Sequence, residues 1–428
     1  MSSHYIINGL RCCDHYFNVP LDHQLPNGQL LTIYCREVAS QSGIDRQLPY
    51  LVYFQGGPGF GAGRPSGLDG WIKAASEHYR ILLLDQRGTA NSSPVTAQTL
   101  AVMTSEQQAG YLSHFRADNI VRDAEFIRQQ LIGDEKWSII GQSFGGFCVL
   151  RYLSSAPHGL AQAFITGGIP SLTRSADEVY QATFPRVKNR NAKFFAQYPK
   201  AQAMAKAIAD HLLFTQELMP NGTILTVEQF QLLGIHLGMT GGHQELYFLM
   251  EQAFADVAGK KELSYHFKHQ MMSLLDYDTN PIFAFLHESI YCQQSSSSWA
   301  AHRVRETKHS SCFNYTGGEQ MFNFTGEMIF PWMFEQFANL IPLQGAAHLL
   351  AEKDDWPMLY DLDVLKNNEV PTAAAIYFDD MYVDINYSLE TVAQVANLAT
   401  WVSSDFDHNG IRVDGELIFN KLYGLLNP

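Results

Sequence analysis

The chain is poor in cysteine, with six in 428 residues and no CxxC pair among them. That spacing offers no zinc ribbon or finger. Cys12, Cys13, Cys35, Cys148, Cys292 and Cys312 are therefore read as free thiols of a reducing compartment. Positive charge is also scarce. Lys and Arg total 29 against 43 Asp and Glu, a formal net charge of -14. A surface this acidic repels a phosphate backbone, so nucleic acid is not an expected partner. No apolar run approaches the roughly 18 to 20 residues that cross a bilayer. The start, "MSSHYIINGLRCCDHYFNVPLDHQ", lacks a basic segment followed by an apolar run, so no signal peptide is expected. These absences together predict a soluble, cytoplasmic protein with no membrane partner. Internal repeats are missing, and the one low-complexity run is Ser295 to Ser298.

What is present is a globular composition, 46% hydrophobic and 17% charged, in a chain long enough for one large core plus an insertion. Short apolar runs alternate with helical patterns in the first part. "YLVYF" (Tyr50 to Phe54), "RILLLD" (Arg80 to Asp85), "WSIIG" (Trp137 to Gly141) and "QAFITGGIP" (from Gln162) read as strands. Asn119 to Leu131 has helical spacing, and the residues after Gly141 also read as helix. Near-continuous apolar strands alternating with helices predict an α/β fold, a mostly parallel sheet covered on both faces. From about Ser171 to Pro342 the pattern turns mainly helical, as in "KFFAQYPKAQAMAKAIADHLL" and "HQELYFLMEQAFADVAG". "TAAAIYF" (Thr372 to Phe378) then resumes strand character. The expected division is a first core segment over 1–170, an inserted helical cap over 171–342, and a second core segment over 343–428.

"GQSFGG" (Gly141 to Gly146) follows a strand and opens a helix, matching G-x-S-x-G. Such a turn holds Ser143 strained, with its hydroxyl raised off the sheet and a helix N-terminus behind it to favour negative charge. A chance Gly/Ser turn is the bland alternative, and the strand-elbow-helix context argues against it. Acyl transfer also needs backbone N–H donors aimed at a developing oxyanion. Phe144, next to the serine, should supply one. "QGGPG" (Gln55 to Gly59) should supply another from Gly57, because Pro58 has no N–H.

On sheets with this elbow the acid and the base follow the serine in that order. Asp379 and Asp380 lie at the end of the strand after the insertion, and His408 is the one histidine further on. His408 sits inside "DFDHNGIRVDGE", where Asp405, Asp407, Asn409, Gly410 and Glu416 have the spacing of a calcium-binding EF-hand loop. "TWVSS" before it suits a strand better than the helix an EF-hand requires. Arg412 stands at loop position eight, where an aliphatic residue is usual, and no second such loop exists. His408 is thus expected as general base rather than as part of a metal site.

"GGPGFG", "DQRGTANSSP", "GQSFGGF", "DDMYVD" and "HNGIR" together resemble the proline iminopeptidases, serine peptidases of the α/β-hydrolase fold, in their larger bacterial branch. Two departures are visible: Gln55 where the family commonly has His, and Ala90 where it often has Gly. The resemblance implies Ser143 as nucleophile, His408 as base and Asp380 as acid, with Asp379 as its rival. It implies short peptides with N-terminal proline as substrates and no cofactor or metal. It further implies cap glutamates that hold the substrate's amino group. "HESIYC" nominates Glu288, and "YFLMEQAF" nominates Glu251 with Glu245 as substitute. The rival readings are another amide or ester hydrolase of this fold, or a calcium-binding non-catalytic protein.

Overall fold

The structure is a computed structural model that describes residues 4–427. Thirteen strands occur among them. They are β1 (His4–Ile7), β2 (Leu10–Pro20), β3 (Leu30–Ala39), β4 (Tyr50–Phe54), β5 (Arg80–Leu84), β6 (Trp137–Gln142), β7 (Leu160–Thr166), β8 (Glu217–Leu218), β9 (Ile224–Leu225), β10 (Phe254–Val257), β11 (Lys260–Leu263), β12 (Thr372–Tyr377) and β13 (Leu398–Ser403). Nine of these form one sheet in the order β1-β2-β3-β5-β4-β6-β7-β12-β13. From β5 to β13 every neighbouring pair is parallel. Every residue of β4, β6 and β12 is buried, as apolar strands covered on both faces must be. Alternate side chains feed two cores. Val52, Phe54, Ile139 and Ile376 face the larger one, and Leu51, Tyr53, Ile140 and Ala375 face the smaller.

The antiparallel β1–β3 edge was not signalled by the apolar runs. β2 is only partly buried, and its pairing with β3 extends from Arg11↔Ala39 to Pro20↔Leu30. The fold is thus the expected α/β-hydrolase arrangement with an antiparallel margin added. Among the described residues no helix is long and apolar enough to cross a membrane. All six thiols are free.

Between β7 and β12 the sheet is interrupted by helices and two small hairpins, β8-β9 and β10-β11. The long helical run expected around Lys200 is two helices, Ala176–Gln197 and Ala201–Phe214, parted at Tyr198–Lys200. The first starts with a capping box in which Ser175 and Glu178 satisfy each other's backbone N–H groups. "HQELYFLMEQAFADVAG" also differs from expectation. Its helix, Gly242–Glu251, stops before β10. Ala258 and Gly259 both have positive φ (54° and 83°), which suits the two-residue turn joining β10 to β11. Helix Gln344–Glu352 then returns to pack on Ser105–Leu112, and Leu362–Lys366 packs on Phe144–Ser155.

The loop after β5 braces the front of the sheet. Asp85 is fully buried, takes the backbone N–H of Ala62 and Asn91, and grips Arg64 with both oxygens. Ala90, in this loop, is held at φ 42°. That left-handed region costs a residue with a Cβ about 1 kcal/mol or more. Ala90→Gly should therefore raise stability by roughly 0.5 kcal/mol after the added chain entropy of glycine. A thermal melt showing a higher Tm would agree, and a lower one would contradict it.

Candidate active site

The parallel strands end on one side of the sheet, where open α/β sheets gather functional groups. Gln55 to Gly57 follow β4, Ser143 follows β6, Asp380 follows β12 and His408 follows β13. Ser143 has φ 54° and ψ -124°, the strained elbow that lifts its hydroxyl. The turn tolerates no side chains at its flanks. A Cβ on Gly141 would lie 2.1 Å from the Gly145 carbonyl oxygen, and one on Gly145 would lie 2.0 Å from that of Phe54.

His408 is buried and joins the two other groups. Its Nε2 is 2.8 Å from Ser143 Oγ and its Nδ1 is 2.6 Å from Asp380 Oδ2. Asp380 is fixed in turn, because its Oδ1 accepts from the N–H groups of Tyr382 and Val383. Burial opposes a charge on His408, but the Asp380 carboxylate outweighs it and raises the imidazole pKa above the ordinary 6.5. Asp379 points the other way, to Lys193 at 2.7 Å. Phe144 opens helix Phe144–Ser155 and so has no carbonyl a turn earlier to take its N–H. Gly56 and Gly57 line the cavity in front of Ser143, and a Cβ on Gly56 would come within 2.9 Å of the serine Cβ. Gln55 is buried, with its amide oxygen taking the Tyr53 hydroxyl.

The cavity has a volume of about 200 Å³. Its apolar wall is Phe60, Leu274, Tyr277 and Phe283, with ring centroids 5.6 Å apart in both the Phe60–Phe283 and Tyr277–Phe283 pairs. Glu327 also lines it. Burial pushes this carboxyl up to about 7, with His408 pulling it down and Asp380 pushing it up, so all three share one electrostatic field. Among the described residues no donor bonds the Glu327 carboxylate. The buried His287 imidazole is lowered by burial to about 4 and so stays neutral.

The glutamates nominated from sequence lie elsewhere. Glu288 is buried, but its two oxygens take the N–H groups of Ala300 (3.1 Å) and Ala301 (2.8 Å) at the start of helix Ala300–Val304. Its carboxyl, raised to about 7 by burial, is a helix cap and does not reach the cavity. Glu251, at the end of its helix, is exposed and does not line the cavity. Glu245 comes nearer, 3.5 Å from Nδ1 of the cavity residue His236, but is itself half exposed. Glu327 was missed. Its one sequence signal is that it is the sole charge between Gln320 and Phe334, in a run of aromatic and apolar residues.

The EF-hand spacing does not build an EF-hand. The loop follows a strand, and its carboxylates serve separate partners. Asp407 pairs with Arg190 at 2.9 Å and Glu416 with Lys73 at 3.0 Å. Asn409 takes the Thr240 N–H. Arg190, from the cap helix Ala176–Gln197, also donates to the Asp379 carbonyl at 2.7 Å. One guanidinium thus holds the residue before Asp380 and the residue before His408.

An elbow serine bonded to a histidine that is bonded to an aspartate, on this sheet, defines a serine hydrolase of the α/β-hydrolase class. A family model described as "alpha/beta hydrolase fold" matches residues 49–256. The chain is 52% identical over 423 residues to a proline iminopeptidase of Aeromonas sobria, covering 99% of this chain and 98% of that one. It is 34% identical to a proline iminopeptidase of Aspergillus aculeatus, covering 97% and 93%. A solved proline iminopeptidase from Mycobacterium smegmatis overlaps 96% of this chain and 98% of its own, at 12% identity and a TM-score of 0.46. The chain belongs to the proline iminopeptidase family.

Arg190→Ala should lower kcat by roughly 10- to 100-fold, because small displacements of catalytic groups are that costly. KM should change much less, and Arg190→Lys should recover part of the rate by keeping the Asp407 pair. Steady-state kinetics of the folded variants would show it. An equal loss in KM alone would contradict a positioning role.

Proposed function

We propose that this protein is a serine aminopeptidase that releases N-terminal proline from peptides, with Ser143 as nucleophile. The observation that carries the reading is the hydrogen-bonded line Ser143–His408–Asp380 opening on a small apolar cavity with an unpaired carboxylate in its wall. His408 takes the proton from Ser143 as the hydroxyl attacks the first carbonyl. Asp380 holds the Nδ1–H tautomer and stabilises the imidazolium that forms. The N–H groups of Phe144 and Gly57 receive the oxyanion. His408 returns the proton to the leaving amine, and water then attacks the acyl-enzyme by the same route to free proline.

Recognition of a free amino terminus needs an anion in the cavity. Glu327 is the candidate, displacing Glu288 and Glu251 from that role. Among the described residues no donor bonds its carboxylate, and an ammonium beside it would stabilise its ionised form. The rings of Phe60, Tyr277 and Phe283 would enclose the pyrrolidine. The three-part division into core (1–170), cap (171–342) and core (343–428) fits this reading, since the cap supplies the substrate's walls. The six free thiols support a cytoplasmic setting.

Two outcomes test this. Ser143→Ala should cut turnover of a proline arylamide by about 10⁴-fold or more. Activity within tenfold of wild type would sink the mechanism. The pH profile tests Glu327. Both His408 and Glu327 must lose a proton to act, His408 with its pKa raised above 6.5 and Glu327 at about 7. Log kcat/KM should therefore fall below pH 7 with a slope steeper than one, and Glu327→Gln should reduce that slope to about one. An identical acid limb in the variant would remove Glu327 from the reading.

A further inference from the structure

The cavity carries a second charge that the chemistry above leaves unused. Arg412 lies on the short helix Gly410–Val413, four residues after His408, and lines the same cavity as Ser143, Gln55 and Asn409. Acids flank it in sequence, yet each bonds elsewhere. Asp405 is near the Ser403 hydroxyl, Asp407 pairs with Arg190 and takes the Thr240 hydroxyl, Asp414 takes the Leu417 N–H, and Glu416 pairs with Lys73. Among the described residues no carboxylate lies within ion-pair distance of the Arg412 guanidinium. Its charge is nevertheless felt in the site: burial pushes the Tyr53 hydroxyl up to about 12 and the Asp380 carboxylate raises His408, and Arg412 partly opposes both shifts.

Both signs of charge therefore line the cavity, Glu327 and the exposed Arg412 on the base's loop. Ser143 and His408 line the same space. A short peptide likewise carries both charges, with an ammonium at one end and a carboxylate at the other. In a dipeptide or tripeptide the carboxylate follows the attacked carbonyl by one or two residues, at most about 3.6 Å each. Arg412 lines the same cavity in which that carbonyl would be attacked. Guanidinium is also the side chain whose paired donors match a carboxylate best.

We propose that Arg412 is a subsite for the C-terminal carboxylate of the substrate, so that the protein favours dipeptides and tripeptides with free C-termini over longer or blocked ones. This rests on the aminopeptidase reading and adds a length preference to it. Arg412 is a specificity residue here, acting on the part of the substrate that leaves.

The test compares kcat/KM for Pro-Gly, Pro-Gly-amide and Pro-Glu-amide, with Pro-arylamide as a reference, in wild type, Arg412→Gln and Arg412→Lys. Wild type should prefer Pro-Gly to its amide by about tenfold at low salt, as a charge-assisted pair at a partly open site allows. The preference should shrink as salt is added. Arg412→Gln should bring the ratio to within about twofold of one, and Arg412→Lys should keep part of it. Taking a ratio within one variant cancels any change in His408. Wild type that cleaves Pro-arylamide but treats Pro-Gly and its amide alike would overturn this inference alone. Equal favour for Pro-Glu-amide would assign Arg412 to side-chain carboxylates and overturn the length preference. An Arg412→Gln protein with the wild-type ratio would also overturn it. Wild type that cleaves none of the four would overturn the aminopeptidase reading itself.

Discussion

The structure turns on the two hydrogen bonds of one buried imidazole. His408 reaches Ser143 from one nitrogen and Asp380 from the other, and these residues come from the ends of three different strands. Such a line requires β6, β12 and β13 to end at matched heights, which their parallel register provides: Gln142 lies opposite Thr166, and Tyr377 opposite Ser403. It also requires that water be kept off the histidine. The Tyr382 ring stands edge-on to it at 4.6 Å, and the Gly238 carbonyl takes its backbone N–H at 3.2 Å. Gly238 must be glycine, since a Cβ there would run into the Tyr382 ring.

The cap is therefore more than a roof. Its stretch 232–240 meets the His408 loop: Gly238 accepts the His408 N–H, Ile235 accepts the Tyr382 hydroxyl, and Thr240 bonds Asn409 and Asp407. Its helix Ala176–Gln197 presents Arg186, Arg190 and Lys193 on one face. These pair with Asp384, Asp407 and Asp379, all in the two loops that carry Asp380 and His408. In the proposed reaction the same insertion would then supply most of the substrate's walls and hold the loops of the acid and base.

The legible parts of the molecule were those where local sequence dictates geometry. Gly141, Ser143 and Gly145 fix a turn whose backbone clashes allow nothing else, and the apolar runs of β4, β6 and β12 have no other use than a sheet covered on both faces. The order of acid and base along the chain then confined the choice to Asp379, Asp380 and His408. The cap was less legible for physical reasons. Glu288 and Glu327 both have carboxyls that burial raises, Glu288 buried and Glu327 partly so, and what separates them is whether a neighbouring helix start turns its N–H groups toward the oxygen. That depends on the left-handed backbone of Trp299, which no residue type near Glu288 announces. Glu327 sits in an irregular stretch without helical or strand period, so pattern reasoning had nothing to act on. The β10-β11 hairpin was hidden because its turn uses Ala258 rather than Asn or Gly at the first positive φ.

The central claim is that one serine hydrolase site is tuned to a free amino terminus by the cap carboxylate facing it. The most direct measurement is kcat/KM for proline arylamide against N-acetyl-proline arylamide, in wild type and in Glu327→Gln. The account predicts that wild type cleaves the free amine at least about 100-fold faster, as a desolvated charge pair would provide, and that the variant loses most of this discrimination by slowing on the free amine alone. Cleavage of both arylamides at similar rates by wild type, or full discrimination retained by Glu327→Gln, would contradict it.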